Sequence, residues 1–473
     1  MTDLHLPLDR SAGRLATQIA AGVRAAIRSG RLTAGTRLPS SRDLARDLDV
    51  SRGVVVTAFE QLIAEGFLVA RRGDGTRVAP MARPDDSPHA AAPAPRARPE
   101  EPPEADGTTH DLWPGMPDLA SFPRERWLAA VRSALRELPH DDLTYPDPAG
   151  FRGLRTELAG YLGRVRAANA DPDQVVVMNG VAHGLSSVVR ALAADGHTSL
   201  AIEDPASARQ LPMLQAAEIE LVRVPVDRHG LDVAALSQTG ARAVLVTPAH
   251  QYPTGVVLSP ERRAQLIAWA REVDGLIIED DYDAEFRYDR DPVGCLQGID
   301  PERVVLLGSV SKSMAPAMRM GWAVASPKLA DRLRTHRALS DLGGPVVEQA
   351  AFAHFLASGG YDRHLRLMRR QYRARRDALV EGLRRNVPEV IVHGVSAGVH
   401  LYVELPRGCD EDAVAAAAAR AGVSVAGAAP MWSAERGPQA APALVLGYAR
   451  LSESKLAQAT ELLGQAVARD ARG

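Results

Sequence analysis

Residues 309–322 read SVSKSMAPAMRMGW, and they follow the apolar run VVLLG at residues 304–308. A short apolar run that ends in a glycine and two serines predicts a buried strand of a parallel sheet. Ligands of open α/β sheets bind at the carboxyl ends of the strands. The pattern therefore predicts a functional crevice beside this segment.

Lys312 is the reactive candidate in this segment. The chain has 56 Lys and Arg residues, of which only three are lysines: Lys312, Lys328 and Lys455. Arginine stays protonated, whereas a partly buried lysine can lose its proton and form a Schiff base. Ser309, Ser311 and Arg319 are donors suited to a phosphate, and Arg319 is expected one to two helical turns after Lys312. We therefore expect pyridoxal phosphate on Lys312; the alternative is a surface lysine after a core strand.

The composition is that of an ordinary globular protein. The 473 residues are enough for two to four domains at roughly 100–200 residues each. The two cysteines, Cys295 and Cys409, match no metal-binding spacing and cannot build a disulfide framework, which favours a reducing compartment. The first ten residues lack the features of a signal peptide, and no uncharged apolar run reaches the ~18 residues of a membrane span.

The first 79 residues carry 12 arginines and 8 acidic residues, although the whole chain has a net charge of −2. Apolar spacing predicts helices over residues 15–29, 42–48 and 52–65, the second capped by Ser40 or Ser41 and the third capped by Ser51. Residues 67–70 and 76–79 flank the basic sequence RRGDG, which predicts a hairpin. Three helices and a basic hairpin indicate a winged helix-turn-helix that binds duplex DNA, the alternative being a protein-binding winged helix.

LPSSRDLA at residues 38–45, SR at 51–52 and EQLIAEGFLVARRGDGT at 60–76 are similar to the GntR-type DNA-binding domain. The resemblance implies that Arg42 and Arg52 approach phosphates or base edges, and that the wing lies in the minor groove or on the backbone. The recognition helix begins with Gly and three valines, so Thr57 is its nearest polar side chain. The residues expected at DNA are Arg42, Ser51, Arg52, Thr57, Arg71, Arg72 and Gly75.

Residues 80–110 are rich in Pro and Ala and have no apolar periodicity, which predicts a semi-extended linker. The remaining part, residues 111–473, alternates strand-like and helical segments, which predicts a mainly parallel α/β sheet flanked by helices. The strand-like segments are residues 175–178, 199–202, 221–226, 243–246, 276–278 and 304–307. A small α+β subdomain is expected from about residue 345, with strands near 400–404 and 444–447.

Two loops of this sheet suit the predicted cofactor. NGVA at residues 179–182 follows a strand and opens a helix, where backbone N–H groups and the helix dipole favour a phosphate. EDDYD at residues 279–283 is expected to follow another strand, and a carboxylate there, for which we choose Asp280, can pair with a pyridine nitrogen. Taken alone, an acidic cluster after a strand more often binds metal or faces solvent.

TPAHQYPTG at residues 247–255, EDDYDAEF at 279–286 and SVSKSMAPAMRMGW at 309–322 resemble the fold-type-I, aspartate-aminotransferase-like domain. The resemblance extends over nearly all of residues 110–470. Together with the GntR-like domain, it makes the chain similar to the MocR/GabR family of pyridoxal-phosphate-dependent transcriptional regulators.

The resemblance assigns roles to single residues. Lys312 holds the cofactor as a Schiff base, Asp280 pairs with the ring nitrogen, and Tyr282 bonds the phenolic oxygen. The phosphate group is assigned to Ser309, Arg319 and the amides of Gly180, Val181 and Ala182, aided by Tyr145 of the partner subunit. Arg450 is assigned to a ligand carboxylate, and Arg209 is a second candidate for an anion.

Two positions depart from the pattern of true aminotransferases. Tyr252 stands where they usually carry an asparagine, which leaves His250 or Gln251 to reach the phenolic oxygen. Ser207 stands where an aromatic residue often stacks on the ring, and His183 is a candidate to replace it. Both departures argue against efficient transamination.

The resemblance implies a cytoplasmic, nucleoid-associated regulator that pairs head to tail and senses an amine, an amino acid or a vitamin B6 compound. It leaves the effector open among GABA-like amino acids, taurine, D-alanine and pyridoxal phosphate itself. One alternative is a pyridoxal-phosphate-dependent aminotransferase with a vestigial DNA-binding domain. Another is a cofactor-binding module with neither activity.

Overall fold

The computed structural model describes residues 6–71, 74–80, 109–288, 293–435 and 440–470. The chain divides into two compact units, Met1–Arg96 and Ala97–Gly473. Most of the predicted linker, and Arg72 of the predicted wing, lie outside the described residues. Within the described ranges, no helix is both long enough and apolar enough to cross a lipid bilayer.

The first unit contains the predicted three helices and hairpin. They are α1 (Leu15–Arg28), α2 (Ser41–Asp47), α3 (Arg52–Ala64), β1 (Leu68–Arg71) and β2 (Gly75–Val78). The two strands are antiparallel, with Leu68 opposite Val78. Ser40 caps α2 by accepting a hydrogen bond from the Asp43 amide at 3.2 Å. Ser51 is the N-cap residue of α3, but its hydroxyl makes no capping hydrogen bond, so that part of the prediction was wrong.

The second unit is built on an eight-stranded sheet. After β3 (His110–Asp111), the strands of this sheet are β4 (Val175–Met178), β5 (Ser199–Asp204), β6 (Glu220–Asp227), β7 (Gly230–Leu231), β8 (Ala243–Val246), β9 (Leu276–Asp281), β10 (Val304–Ser309) and β11 (Gly321–Val324). Their order in the sheet is β4-β11-β10-β9-β8-β5-β6-β7. The five central strands β10, β9, β8, β5 and β6 are parallel, as predicted. β11, which the sequence did not predict, is antiparallel to both β10 and β4.

Helices cover both faces of this sheet, which explains the continuous apolar strands. They are α4 (Arg124–Glu137), α5 (Arg152–Arg166), α6 (Val181–Ala194), α7 (Leu211–Gln215), α8 (Val233–Ser237), α9 (Pro260–Glu272) and α10 (Pro327–Ser340). Alternate residues of β10 point to opposite faces. Val305 and Leu307 lie in the core that contains α6 and α10, whereas Val304 lies in the core that contains α8 and α9.

The C-terminal part is an α+β layer, as expected. Its helices are α11 (Val346–Ala357), α12 (Gly360–Asn386), α13 (Glu411–Arg420) and α14 (Glu453–Asp470), and its strands are β12 (Ile391–His393), β13 (His400–Glu404), β14 (Val423–Ser424), β15 (Ala426–Gly427) and β16 (Ala443–Gly447). Four strands form an antiparallel sheet in the order β12-β13-β16-β15. β14 pairs with β3, which joins this layer to the start of the unit.

Two local predictions near the site were wrong. Glu279, Asp280 and Asp281 do not follow β9 but form its last residues, and the parallel pairing places Asp280 opposite Leu307 of β10. The chain between Lys312 and Arg319 is not an α-helix but a turn followed by a short 3-10 helix, Pro316–Met318. Pro316 is the physical reason, because a proline disfavours the helical conformation of the residue before it.

Candidate functional site

Lys312 lies in the turn that follows the carboxyl end of β10. Its Nζ donates a hydrogen bond to the carbonyl oxygen of Gly115. A Cβ at position 115 would stand 3.2 Å from that nitrogen, so a glycine there leaves room for the amine. Burial, and then the nearby charge of Arg209, lower the pKa of Lys312 to about 8. About a tenth of the amine is therefore neutral at pH 7, and the neutral amine is the nucleophilic form.

Asp280 is buried on the neighbouring strand with one carboxylate oxygen unsatisfied. Its Oδ2 accepts a hydrogen bond from Nε2 of Gln210 at 2.8 Å, while its Oδ1 has no hydrogen-bond partner among the described residues. Burial raises the pKa of Asp280 to about 6. A buried acceptor without a donor is rare in folded proteins. The protonated ring nitrogen of the predicted cofactor would satisfy it, so the residues present fit that group.

Four of the residues predicted at the phosphate, Gly180, Val181, Ala182 and Arg319, lie together at the start of α6. Gly180 is the N-cap of this helix, with φ 82°, and the amides of Val181 and Ala182 belong to its first turn, where unpaired N–H groups attract anions. Arg319 donates a hydrogen bond to the carbonyl oxygen of Asn179. A Cβ at position 180 would stand 3.0 Å from its guanidinium, which places the cation against this turn.

Two serines precede Lys312 at the end of β10. Ser309 is buried, and its Oγ accepts a hydrogen bond from the Ser311 amide at 3.3 Å. This bond folds the chain back toward the strand and sets the turn that carries the lysine.

Tyr282 and His250 form a hydrogen-bonded pair beside the lysine turn. The Tyr282 hydroxyl donates to the His250 carbonyl oxygen at 2.9 Å and lies 3.0 Å from its Nδ1. The same Nδ1 is 3.1 Å from Oδ2 of Asp283. Gln251 uses its Nε2 on the Pro205 and Tyr252 carbonyl oxygens, at 2.8 and 2.7 Å. Of the two substitutes considered for the missing asparagine, His250 therefore has the side chain with fewer hydrogen bonds to other residues.

One group in the described part of the chain has the spacing of a metal site: ligand atoms of His250, Asp283 and His400 lie within 4.8 Å of one another. Hydrogen bonds explain why these three side chains lie close together. Nδ1 of His250 is hydrogen-bonded to Asp283, and Nε2 of His400 is hydrogen-bonded to the Pro253 carbonyl oxygen at 3.0 Å. Burial and then the charge of His250 lower the pKa of His400 to about 3, so this ring is neutral.

The two predicted anion clamps differ in their surroundings. Arg450 forms an ion pair with Asp111, and the exposed fractions of the two side chains are 40% and 24%. Arg209 is exposed, and its charge is the second largest cause of the lowered pKa of Lys312. Arg209 is thus electrostatically close to the amine, whereas Arg450 must leave a partner before it can bind a ligand.

Tyr145 is 80% exposed and does not pack with the buried residues of the site. Leu143 and Leu339 are also largely exposed, at 60% and 84%. Contiguous exposed apolar patches, rather than single exposed residues, mark surfaces that meet another protein.

The sequence analysis did not single out two residues that the structure places at this site. Gly115 lies in the WPGMPD segment, which the sequence analysis used only as the start of the domain. Gln210 lies in a loop and belongs to no recognised motif. A search for glycines between prolines could have singled out Gly115. No local signal could have found Gln210, because its partner Asp280 is 70 residues away.

The predicted DNA-binding residues within the described ranges lie on the surface of the first unit. Arg42, Ser51, Arg52 and Thr57 are exposed at α2 and α3, and Arg71 is exposed opposite Gly75 in the hairpin. Nε of Arg52 donates to Oγ of Ser41 at 3.3 Å, which joins the two helices.

Arg37 is a further basic residue at the wing that the sequence patterns did not single out. A Cβ at Gly75 would lie 3.2 Å from its Nε, and the side chain is exposed. A cation in this position adds to the basic surface of the hairpin.

Two family models match the chain. "Aminotransferase class I and II" matches residues 116–435, and "Bacterial regulatory proteins, gntR family" matches residues 15–78.

Curated relatives match along most of the chain. The "HTH-type pyridoxine biosynthesis transcriptional regulator PdxR" of Corynebacterium glutamicum is 35% identical over 446 residues, which cover 93% of each chain. The "Probable rhizopine catabolism regulatory protein MocR" of Rhizobium meliloti is 33% identical and covers 89% of this chain and 87% of its own.

Among solved structures, the multiple substrate aminotransferase of Thermococcus profundus superposes with a TM-score of 0.71 at 24% identity, covering 78% of this chain and 93% of that one. At this identity the likeness concerns the fold.

Proposed function

Because this chain belongs to the MocR-type family of transcriptional regulators, in which a gntR-family DNA-binding domain precedes a class I and II aminotransferase domain, we propose that it controls transcription in response to a small ligand sensed at Lys312. The chain is a DNA-binding regulator, and pyridoxal 5'-phosphate is its cofactor. Our proposal concerns how the cofactor is held and what it senses. We infer covalent attachment at Lys312 and an effector that is an amine, an amino acid or a vitamin B6 compound.

The cofactor supplies an aldehyde that an amine can capture and a ring that accepts electrons. The residues of this chain bind and orient it. Lys312 provides an amine whose lowered pKa leaves part of it neutral, and Asp280 provides a buried acceptor for the ring nitrogen. The first turn of α6 and Arg319 provide donors and positive charge for the phosphate.

One observation carries the proposal: the unsatisfied Oδ1 of Asp280 lies on the strand next to the one that leads to Lys312. An unpaired buried oxygen beside a lysine with a lowered pKa is costly in a protein that only needs to fold. Perturbed titratable groups of this kind are typical of functional sites.

The covalent part is tested by loading the protein with pyridoxal phosphate and reducing it with borohydride. We expect a visible absorbance band and a cofactor that stays with the protein after denaturation. Lys312→Ala should lose both, and the exposed Lys328→Ala should keep both. Cofactor trapped equally well in Lys312→Ala would refute the attachment at this residue.

The regulatory part is tested with DNA from upstream of the chain's own gene. If a dimer makes about 6–8 phosphate contacts, the slope of log affinity against log salt should be about −5 to −7. The effector should change the affinity by about 5- to 150-fold, the range that a coupling free energy of ~1–3 kcal/mol produces. A flat salt response would exclude binding through the phosphate backbone.

We also propose that two chains pair head to tail, with Tyr145 of each reaching the phosphate of the other. The exposure of Tyr145, Leu143 and Leu339 supports such a surface. Sedimentation of the loaded protein should give a dimer, and Tyr145→Phe should weaken cofactor binding without changing the sedimentation.

The effector can be identified by titrating the loaded protein with amines and amino acids and recording the cofactor spectrum. A compound that shifts both the spectrum and the DNA affinity is the effector. Turnover of an amino acid without any change in DNA affinity would instead support the aminotransferase alternative.

A further inference from the structure

The two oxygens of Asp280 have different surroundings. Oδ2 accepts a hydrogen bond from Nε2 of Gln210 at 2.8 Å, whereas Oδ1 is buried without a partner among the described residues. The residue is only 5% exposed, so bulk water has little access to the unpaired oxygen. A single contact from Gln210 thus decides which oxygen remains available.

Gln210 is held in place by its own backbone. Its amide donates to the Ser207 carbonyl oxygen at 3.0 Å, and its carbonyl oxygen accepts from the Leu214 amide at 3.1 Å. The residue is the N-cap of α7, with an αR backbone conformation. These contacts fix the Cα and leave the side chain to extend toward β9, where Asp280 lies.

Burial and several neighbouring side chains shift the pKa of Asp280 in opposite directions. Burial raises its pKa to about 6, the hydrogen bond from Gln210 lowers it, and Lys312 lowers it as well. Asp281 and Asp283 raise it, although the charge of Asp281 is largely neutralised by Arg166, whose nitrogens lie 2.7 and 2.9 Å from its oxygens. Gln210 is the largest of the influences that favour the carboxylate form.

We propose that Gln210 is a positioning residue for the cofactor: by holding Oδ2 of Asp280 it leaves Oδ1 to meet the ring nitrogen and keeps the carboxylate ionised. The inference rests on the proposed function, because it assumes that pyridoxal phosphate occupies this site. A glutamine suits the task because its amide donates a hydrogen bond but cannot take up the proton that the ring nitrogen must keep. A cation in its place would weaken the basicity of the carboxylate.

The test uses the full chain loaded with pyridoxal phosphate that carries ¹⁵N in the ring, and it records the nitrogen chemical shift at neutral pH. The wild type should show a protonated ring nitrogen. Gln210→Met, which has a similar length and no donor, should move the shift toward the unprotonated value. Its affinity for the cofactor, measured by titration of the apoprotein, should fall about 10-fold if the interaction is worth roughly one pKa unit.

Two further variants separate positioning from packing. Gln215→Met changes an exposed glutamine of the same helix α7 and should leave the shift and the affinity unchanged. Gln210→His keeps an N–H donor, so the ring nitrogen of its cofactor should remain at least partly protonated, unlike that of Gln210→Met. A wild-type shift in Gln210→Met, or an unprotonated ring in the wild type, would overturn the inference.

Failure of the proposed function would look different. In that case the labelled cofactor would remain free in solution, or borohydride would trap it equally in Lys312→Ala, whatever residue stands at position 210. A cofactor that is trapped on Lys312 but insensitive to Gln210 would refute only the role of Gln210.

Discussion

The guanidinium of Arg319 lies so close to Gly180 that a Cβ at position 180 would stand 3.0 Å from Nη2 and 3.1 Å from Nη1. Gly180 has φ 82° at the N-cap of α6, and Arg319 also donates to the carbonyl oxygen of Asn179. The helix N-terminus and the arginine therefore form one continuous surface of positive potential.

Gly180→Ala should weaken the affinity for pyridoxal phosphate by about 10-fold, because the methyl group would push Arg319 away and the backbone would be strained at this φ. Titration of the apoprotein measures the affinity. Gly196→Ala is the matched control, since Gly196 also has φ 82° but a Cβ added there would meet nothing within 4 Å. An equal loss in both variants would mean that backbone strain alone is responsible.

The rate at which the apoprotein captures pyridoxal phosphate should depend on pH through the Lys312 amine. Burial lowers the pKa of this group from 10.5 to about 8. The neutral fraction, and with it the rate, should rise about tenfold per pH unit below that value and level off above it. Stopped-flow absorbance measures the rate.

Arg209→Gln tests whether the Lys312 amine causes that pH dependence. It removes the like charge that helps to lower the pKa of Lys312 and should move the midpoint of the rate profile to higher pH. A rate that stays constant through the whole range would contradict a titrating nucleophile.

Asp111→Asn should tighten the binding of effectors that carry a carboxylate by up to about 5-fold, because Arg450 would no longer have to leave an ion pair worth ~0–1 kcal/mol. The cofactor spectrum, titrated with amino acids, reports the affinity. Amines without a carboxylate should bind Asp111→Asn and the wild type equally. Glu381→Gln breaks a different exposed pair, with Arg385, and should have no effect.

Leu62→Ala should destabilise the DNA-binding unit by about 2–5 kcal/mol, because Leu62 is fully buried between the helices. Ile63→Ala, at a neighbouring position that is 38% exposed, should change the stability by less than about 0.5 kcal/mol. Amide hydrogen exchange of α1 and α3 in the full-length chain measures the difference. Equal protection in the two variants would contradict the assignment of this core.

Arg37→Ala should lower the salt slope of DNA binding by about 1 and weaken binding similarly for all sequences, because a wing cation of this kind contacts phosphate rather than base edges. Arg46→Ala serves as the comparison, because it removes the same charge as Arg37→Ala from an exposed arginine of α2 that pairs with Asp43. Loss of sequence preference in Arg37→Ala would instead point to base readout.

Most of the fold could be predicted because its signals are local. β4 and β8 coincide with the predicted residues 175–178 and 243–246, since short apolar runs bounded by turn residues form buried strands. β11 was missed because its four residues follow the lysine segment without a clear boundary, and only pairing with β10 and β4 makes them a strand. The α-helical spacing expected between Lys312 and Arg319 was wrong because Pro316 prevents a continuous helix.

The sequence by itself determined the two folds and singled out Lys312 as the proposed attachment point, because apolar periodicity, capping residues and motif spacing are properties of neighbouring residues. Only the tertiary structure decided that Gln210 occupies one oxygen of Asp280, that Arg450 is paired with Asp111, and that Arg319 lies on Gly180. Each of these pairs joins residues 70 or more positions apart in the chain. Their contacts depend on the order of strands in the sheet and on how the loops at its edge pack, which no local pattern encodes.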